Sequence, residues 1–253
     1  MSDRVTSALE GGVLTLLLNR PDKRNAMDRA MVDGLHAGLE RADLDADVRV
    51  VAVRGAGKDF CAGADLAELL ASVEESSEEN AQSAAHLGHV FVQMRELPKP
   101  VVAVVHGRAL AGGCGLATAC DLVLAHEEAR FGYPEIRRGF VPAMVMAILR
   151  RAVGEKVAFD LVTTGRILEA EDARALGLVT RVLPRDQFDA ESAEVLDTLA
   201  AASPSALSLI KQLLYQVEGK PFRDGIELGA QVNAVARSTP DFARAVSAFL
   251  NKT

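Results

Sequence analysis

The chain contains no tryptophan and only two tyrosines, and aromatic residues make up 4% of its 253 positions. A core must therefore be built from leucine, valine and alanine. Cysteine is sparse and odd in number: Cys61, Cys114 and Cys120 form neither a disulfide framework nor a metal-type pair. They read as reduced thiols, with no metal site. Positive charge is not in excess, since 28 lysines and arginines stand against 35 acidic residues. A nucleic-acid footprint is therefore not indicated, and an anionic ligand would need a local set of donors. No apolar run approaches the roughly 18–20 residues that span a bilayer. Met1-Ser2-Asp3-Arg4 lacks the basic-then-apolar layout of a secretory signal. These absences lead to the expectation of a cytoplasmic protein without a membrane partner.

What remains is an ordinary globular composition, 49% apolar and 25% charged, long enough for one large α/β core. Val13 to Leu18 predicts a strand ending at the turn Asn19-Arg20-Pro21. From Asp28 onward, Met31, Leu35, Leu39 and Ala42 recur at helical spacing. Val48–Val53, Val101–Val105 and Asp121–Ala125 predict further strands alternating with helices, an α/β pattern with parallel pairing. Glu74 to Glu79 reads as a solvated flexible loop. After about Asp186 only helical spacing remains, over Phe188–Ala202, Pro204–Val217, Phe222–Arg237 and Asp241–Leu250. Pro204 and Pro221 sit where first-turn prolines belong. The expected division is residues 1–185 as the α/β body and 186–253 as a helical region reaching a partner subunit.

Three segments are candidates for chemistry. Asp59-Phe60-Cys61-Ala62-Gly63-Ala64-Asp65-Leu66 follows a strand and opens a helix, where unpaired first-turn amides can hold an oxyanion. A tight structural turn explains the segment as well. His106 to Leu116 repeats the arrangement, but its glycines are spaced G-x-x-x-x-G-G-x-G, which fails the dinucleotide fingerprint. Cys114 near a helix start raises the question of a thiol nucleophile. Leu116 breaks the glycine pattern of a nucleophile elbow, so a buried packing role is the better reading. In the third segment, Arg130 to Pro142, Glu135 follows a proline in an apolar stretch. Desolvation there would suit it to proton transfer, although an ion pair with Arg137 or Arg138 is the plainer alternative.

Together the three segments resemble the enoyl-CoA hydratase/isomerase (crotonase) family, through F-x-A-G-A-D, A-G-G-C-G-L-A followed by C-D, and F-G-x-P-E in that order. Asn19-Arg20-Pro21, Arg24-Asn25-Ala26, Val162 to Arg166 and Ala170 to Val179 extend the resemblance over nearly the whole chain. It implies a spiral of ββα units with a helical C-terminal region that builds a homotrimer or a dimer of trimers. It also implies an acyl-CoA thioester as substrate, with coenzyme A carried by the substrate and no separate cofactor. The backbone amides of Ala64 and Gly112 would hold the thioester oxygen, and Glu135 would move the proton. Lys23, Arg24, Ala26, Ala62, Ala64, Asp65, Leu66 and Gly112 would line the coenzyme-A path, with Lys252 approaching the phosphates of a neighbouring subunit.

One departure stands out. The family's hydratases carry a second glutamate directly after Gly-Gly-Cys, where this chain has Gly115. Hydration of a 2-enoyl-CoA remains the leading expectation. A 3,2-enoyl-CoA isomerase using Glu135 alone is the alternative. A non-catalytic acyl-CoA-binding protein and a Cys114 thioester hydrolase stand behind both.

Overall fold

The computed structural model describes residues 3–251. Lys252 lies outside them. The chain opens with a hairpin, β1 (Val5–Glu10) and β2 (Val13–Leu18), joined by Gly11 and Gly12, both at positive φ. That is the backbone a two-residue turn between twisted antiparallel strands requires, and glycine adopts it without strain. β2 then pairs in parallel with β3 (Val50–Gly55), β3 with β4 (Val101–Val105), β4 with β6 (Leu122–His126), and β6 with β9 (Arg181–Leu183). β3 and β4 are near-continuous apolar runs because helices cover both of their faces.

A smaller sheet, β5 (Arg108–Leu110), β7 (Arg130–Gly132) and β8 (Ile167–Glu169), stands beside the first. Each of the pairs β4–β5 and β6–β7 steps from the large sheet to the small one before the chain turns into a helix or tight 3-10 turn. This is the ββα spiral implied by the resemblance.

On the larger core, α1 (Arg29–Leu44) buries Met31, Leu35, Leu39 and Ala42, with Asp28 capping its start. α2 (Leu66–Ala71) is short and exposed, and α3 (Ser77–Glu96) packs on α1 and on α4 (Gly112–Ala119). α5 (Val145–Val153), α6 (Glu155–Thr164) and α7 (Ala170–Ala175) complete this layer. On the opposite face, α8 (Phe188–Ala201) buries Phe188 and Leu196 against Val50, Ala52, Val102, Val104 and Leu124.

Two expectations are corrected. Glu74 to Glu79 is not a loop: Ser76 caps α3, accepting from Glu79 N (3.2 Å) while the Glu79 carboxylate accepts from Ser76 N (2.9 Å). The Ser-x-x-Glu capping box starts a helix in a run whose composition alone suggests solvent. Pro221 precedes the helix it was expected to begin, standing as its N-terminal boundary residue.

α9 (Pro204–Gln216), α10 (Phe222–Arg237) and α11 (Pro240–Leu250) pack mainly on one another. Among the described residues of these three helices, Lys211 alone is buried. Its Nζ donates to the carbonyls of Met94 (2.7 Å) and Lys99 (3.0 Å) and pairs with Asp121 (2.8 Å). Asp121 also accepts from Val101 N and from the Tyr215 hydroxyl, so α9 is tied to the end of α4. Removing one partner of a buried, hydrogen-bonded pair strands the other. Lys211→Ala is expected to cost about 3 kcal/mol, measured by urea denaturation.

Candidate active site

Ala64 lies in the stretch between β3 and α2. Met27 donates its N–H to Gly63 O (2.8 Å) and accepts from Asp65 N (2.9 Å), forming a one-residue parallel bridge with Ala64. In such a bridge the bonded groups belong to the neighbours of Ala64. The N–H of Ala64 itself therefore points away from Met27 and meets no acceptor among the described residues. This donor is not freed by a helix end, as the sequence suggests. The following helix start is already capped, because Asp65 accepts from Ala67 N (2.7 Å).

Gly112 is the first residue of α4, where an N–H has no partner within the helix. It is aimed by Ala111, which holds φ 52° and ψ −130°, a strained conformation for a residue with a Cβ. The two turns touch. A Cβ on Gly63 would lie 3.3 Å from Gly112 N, and one on Gly112 would lie 3.8 Å from Ala64 N. Both amides are half-buried rather than sealed, so a ligand can reach them.

Glu135 sits in the 3-10 turn Pro134–Arg138, closed by Gly139 at φ 67°. It is buried, and its Oε2 has no hydrogen-bond partner. Desolvation raises its pKa above its ordinary value, opposed first by its own backbone N–H and then by the charge of Arg138. The expected alternative of an ion pair with Arg137 or Arg138 is not found: no salt bridge to Glu135 forms among the described residues. Its segment is joined to the donor turn, since Ala111 N donates to Gly132 O (2.8 Å).

Other candidates divide. Ala26 and Ala62 are half-buried beside the Ala64 turn, and Leu66 is exposed at its mouth. The carboxylate of Asp65 is committed to Arg20 (2.5 Å) and to the α2 cap, which hold it below the usual carboxylate range. Its backbone is also engaged, with the N–H on Met27 O and the carbonyl accepting from Leu69 N. Lys23 and Arg24 lie on the exposed side of the same loop, with Arg24 3.9 Å from Asp59. Cys114 is fully buried, and burial pushes its thiol up to about 11, which removes it as a nucleophile at neutral pH.

Three residues escape the sequence reading. Met27 forms the bridge that frees Ala64. Tyr133 is one of only two tyrosines and is fully buried two positions before Glu135. Val145, the first residue of α5, is packed against Gly115: a Cβ on Gly115 would lie 2.4 Å from a Val145 methyl. Helical periodicity marks Val145 only as core. The rarity of tyrosine is the one signal for Tyr133.

Two unpaired amides on turns that touch, tied through Ala111 and Gly132 to the segment that carries a buried carboxyl with an unpaired oxygen, suit an enzyme that stabilises an oxyanion and moves a proton. The chain belongs to the enoyl-CoA hydratase/isomerase family, whose profile matches residues 8–253. A Thermus thermophilus protein carrying an enoyl-CoA hydratase name is 44% identical over 243 residues, covering 96% of each chain. The 2,3-dehydroadipyl-CoA hydratase of Escherichia coli is 34% identical over 253 residues, covering all of this chain and 97% of its own. Among solved structures, an enoyl-CoA hydratase of Mycobacterium smegmatis superposes with a TM-score of 0.94 at 35% identity, covering 98% and 96% of the two chains. This is an enzyme of a family that acts on acyl-CoA thioesters.

Proline at position 64 would delete one donor without altering a side chain the site uses. Folded Ala64→Pro, verified by circular dichroism, is expected to lose about 10²–10³ in turnover of enoyl-CoA thioesters. Near-normal activity in a folded variant would refute the donor assignment.

Proposed function

We propose that the enzyme interconverts enoyl-CoA isomers through a dienolate, with Glu135 as its single acid–base group. The observation that carries this is the buried, unpaired Oε2 of Glu135 in the segment tied to the Gly112 turn. In the proposed reaction the Glu135 carboxylate removes a proton from C2 of a 3-enoyl-CoA. The C–H electron pair moves toward the thioester oxygen, which lies between the Ala64 and Gly112 amides. Protonated Glu135 then delivers the same proton to C4, so the C3=C4 bond is lost and C2=C3 is formed. A carboxyl with a raised pKa suits a group that must act first as base and then as acid.

Hydration, the leading expectation from sequence, is the second reading, and the hydratase names of the relatives favour it. Against it stands the packing at position 115. Hydration benefits from a second group to hold and activate water. Here the place where such a side chain would begin is filled by the Val145 methyls. A β-branched residue on a helix has one strongly preferred rotamer and cannot swing aside easily.

Both readings are separated by a panel of 2-enoyl- and 3-enoyl-CoA thioesters followed at the absorbance of the conjugated thioester. Glu135→Gln is expected to lower turnover by about 10²–10⁴ with affinity nearly unchanged. It should also raise the melting temperature at neutral pH. The raised pKa means folding favours the protonated acid, so the charged form costs stability as pH rises through that pKa, and the difference should vanish in acid. Gly115→Glu alone should misfold or melt early. Gly115→Glu with Val145→Ala should fold and gain hydration if 115 is the missing position. Retention of more than about a tenth of wild-type activity by Glu135→Gln would overturn the acid–base role.

The same reading includes assembly as a trimer or a dimer of trimers. Phe222, Ile226, Phe242, Phe249 and Leu250 are exposed on α10 and α11. Apolar surface of this kind marks a contact face. Light scattering at micromolar concentration should give at least a trimer, and a monomer would refute the assembly.

A further inference from the structure

We propose that Tyr133 is a positioning residue for Glu135, locking the segment that bears the carboxyl to α4, the helix whose first amide belongs to Gly112. This rests on the reading of Glu135 as the acid–base group, and adds a residue through which that group is aimed.

The hydrogen-bond directions are fixed by chemistry. Thr118 Oγ1 lies 2.8 Å from Cys114 O and 3.0 Å from the Tyr133 hydroxyl. A carbonyl can only accept, so the Thr118 proton is committed to Cys114 O. In its contact with Thr118 the Tyr133 hydroxyl is then the donor, and the thiol of Cys114, also in α4, is its second hydrogen-bond neighbour. The result is a directed chain, Tyr133 to Thr118 to the Cys114 carbonyl, which ends within α4 itself. Burial pushes the phenol well above its ordinary pKa, so it remains a donor throughout the working pH range.

A second tether sits beside the first. Ala111 N donates to Gly132 O at 2.8 Å. Positions 111 and 118 are about 10 Å apart along a helix at 1.5 Å per residue. Consecutive residues 132 and 133 are thus held at two well-separated points, the residue that precedes α4 and one in its last turn, and the segment can neither slide nor rotate about one contact. Pro134, with its fixed φ, transmits this placement directly to Glu135. Packing alone does not call for the hydroxyl, since phenylalanine fills nearly the same volume. The hydroxyl adds registry between the proton-transfer group and the oxyanion donors. Misplacement of a reacting group by even 1 Å can cost on the order of a hundredfold in rate.

The experiment compares Tyr133→Phe, Thr118→Val, Thr118→Ser and the double variant Tyr133→Phe/Thr118→Val, with Glu135→Gln as reference, on the same enoyl-CoA panel. Tyr133→Phe is expected to lower kcat about tenfold while KM stays within about twofold. The acid limb of its kcat profile should also move down toward the ordinary carboxylate range, because a loosened segment admits water to Glu135. Thr118→Val should behave alike, the double variant should be no worse than the worse single one, and Thr118→Ser should retain wild-type kcat and pH profile. Unchanged kcat and pH profile in Tyr133→Phe overturn the proposal, whether or not its melting temperature falls, and an effect confined to KM overturns it equally. If these follow while Glu135→Gln still abolishes turnover, only the positioning role fails. If Glu135→Gln is active, the acid–base reading fails with it.

Discussion

Two peptide N–H groups, those of Ala64 and Gly112, must be left unpaired on two turns that touch. An unpaired buried donor is costly, and proteins rarely tolerate one. Here the cost is limited because both groups face accessible space, and the surrounding bonds leave them no alternative partner. The segments that carry them run side by side: Phe60 N donates to His106 O, Cys61 N to Arg108 O and Leu110 N to Cys61 O. The approach is so close that a Cβ on Gly107 would lie 2.1 Å from Lys58 O, and one on Gly113 would lie 2.3 Å from Cys61 O. Glycine at these positions lets the two turns come together.

Around this pair, charged side chains hold the loops that frame it. Asp28 caps α1 and Asp65 caps α2, and the guanidinium of Arg20 reaches both carboxylates, at 3.4 and 2.5 Å. Two helix starts are thereby tied to one cation. Asn25, buried at φ 54°, donates to the carbonyls of Ala56 and Asp59 and accepts from Arg20 N. The loop carrying Met27 is fixed from both ends, and with it the bridge that turns the Ala64 N–H outward. An apolar core could not give this registry, since packing of leucine, valine and alanine is directional only through shape.

Sequence made legible what periodicity and motif order encode. The central strands, α1 and the late helices fall close to their expected places because apolar spacing reports which face is buried. The short strands β5, β7 and β8 did not register. Three residues carry too little pattern, and their pairing is decided by distant partners. β1 was missed although Gly11-Gly12 before an apolar run is a hairpin signal, and the Ser76/Glu79 box was hidden by acidic composition. At the site, glycine-rich turns pointed to free amides, yet the reason Ala64 is free is a contact with Met27, 37 positions earlier. The placement of Val145 against Gly115 is likewise a product of tertiary packing. It is invisible to any reading of one segment at a time.

That last contact bears on how Glu135, the proposed acid–base group, is tuned. Two carboxyls close together titrate as a coupled pair, and each raises the other's affinity for protons. With Val145 against Gly115, no such partner stands at that position, and the pKa of Glu135 is set mainly by desolvation, tempered by its own backbone N–H and by Arg138. Under the proposed reading, a group governed this way exchanges a proton with carbon in both directions without a second acid to reset it. Replacing glutamate by glycine would by itself leave a wet gap. Glycine with a buried valine packed on it fills that place instead, which agrees with the proposed reading of Glu135 as a single working carboxyl.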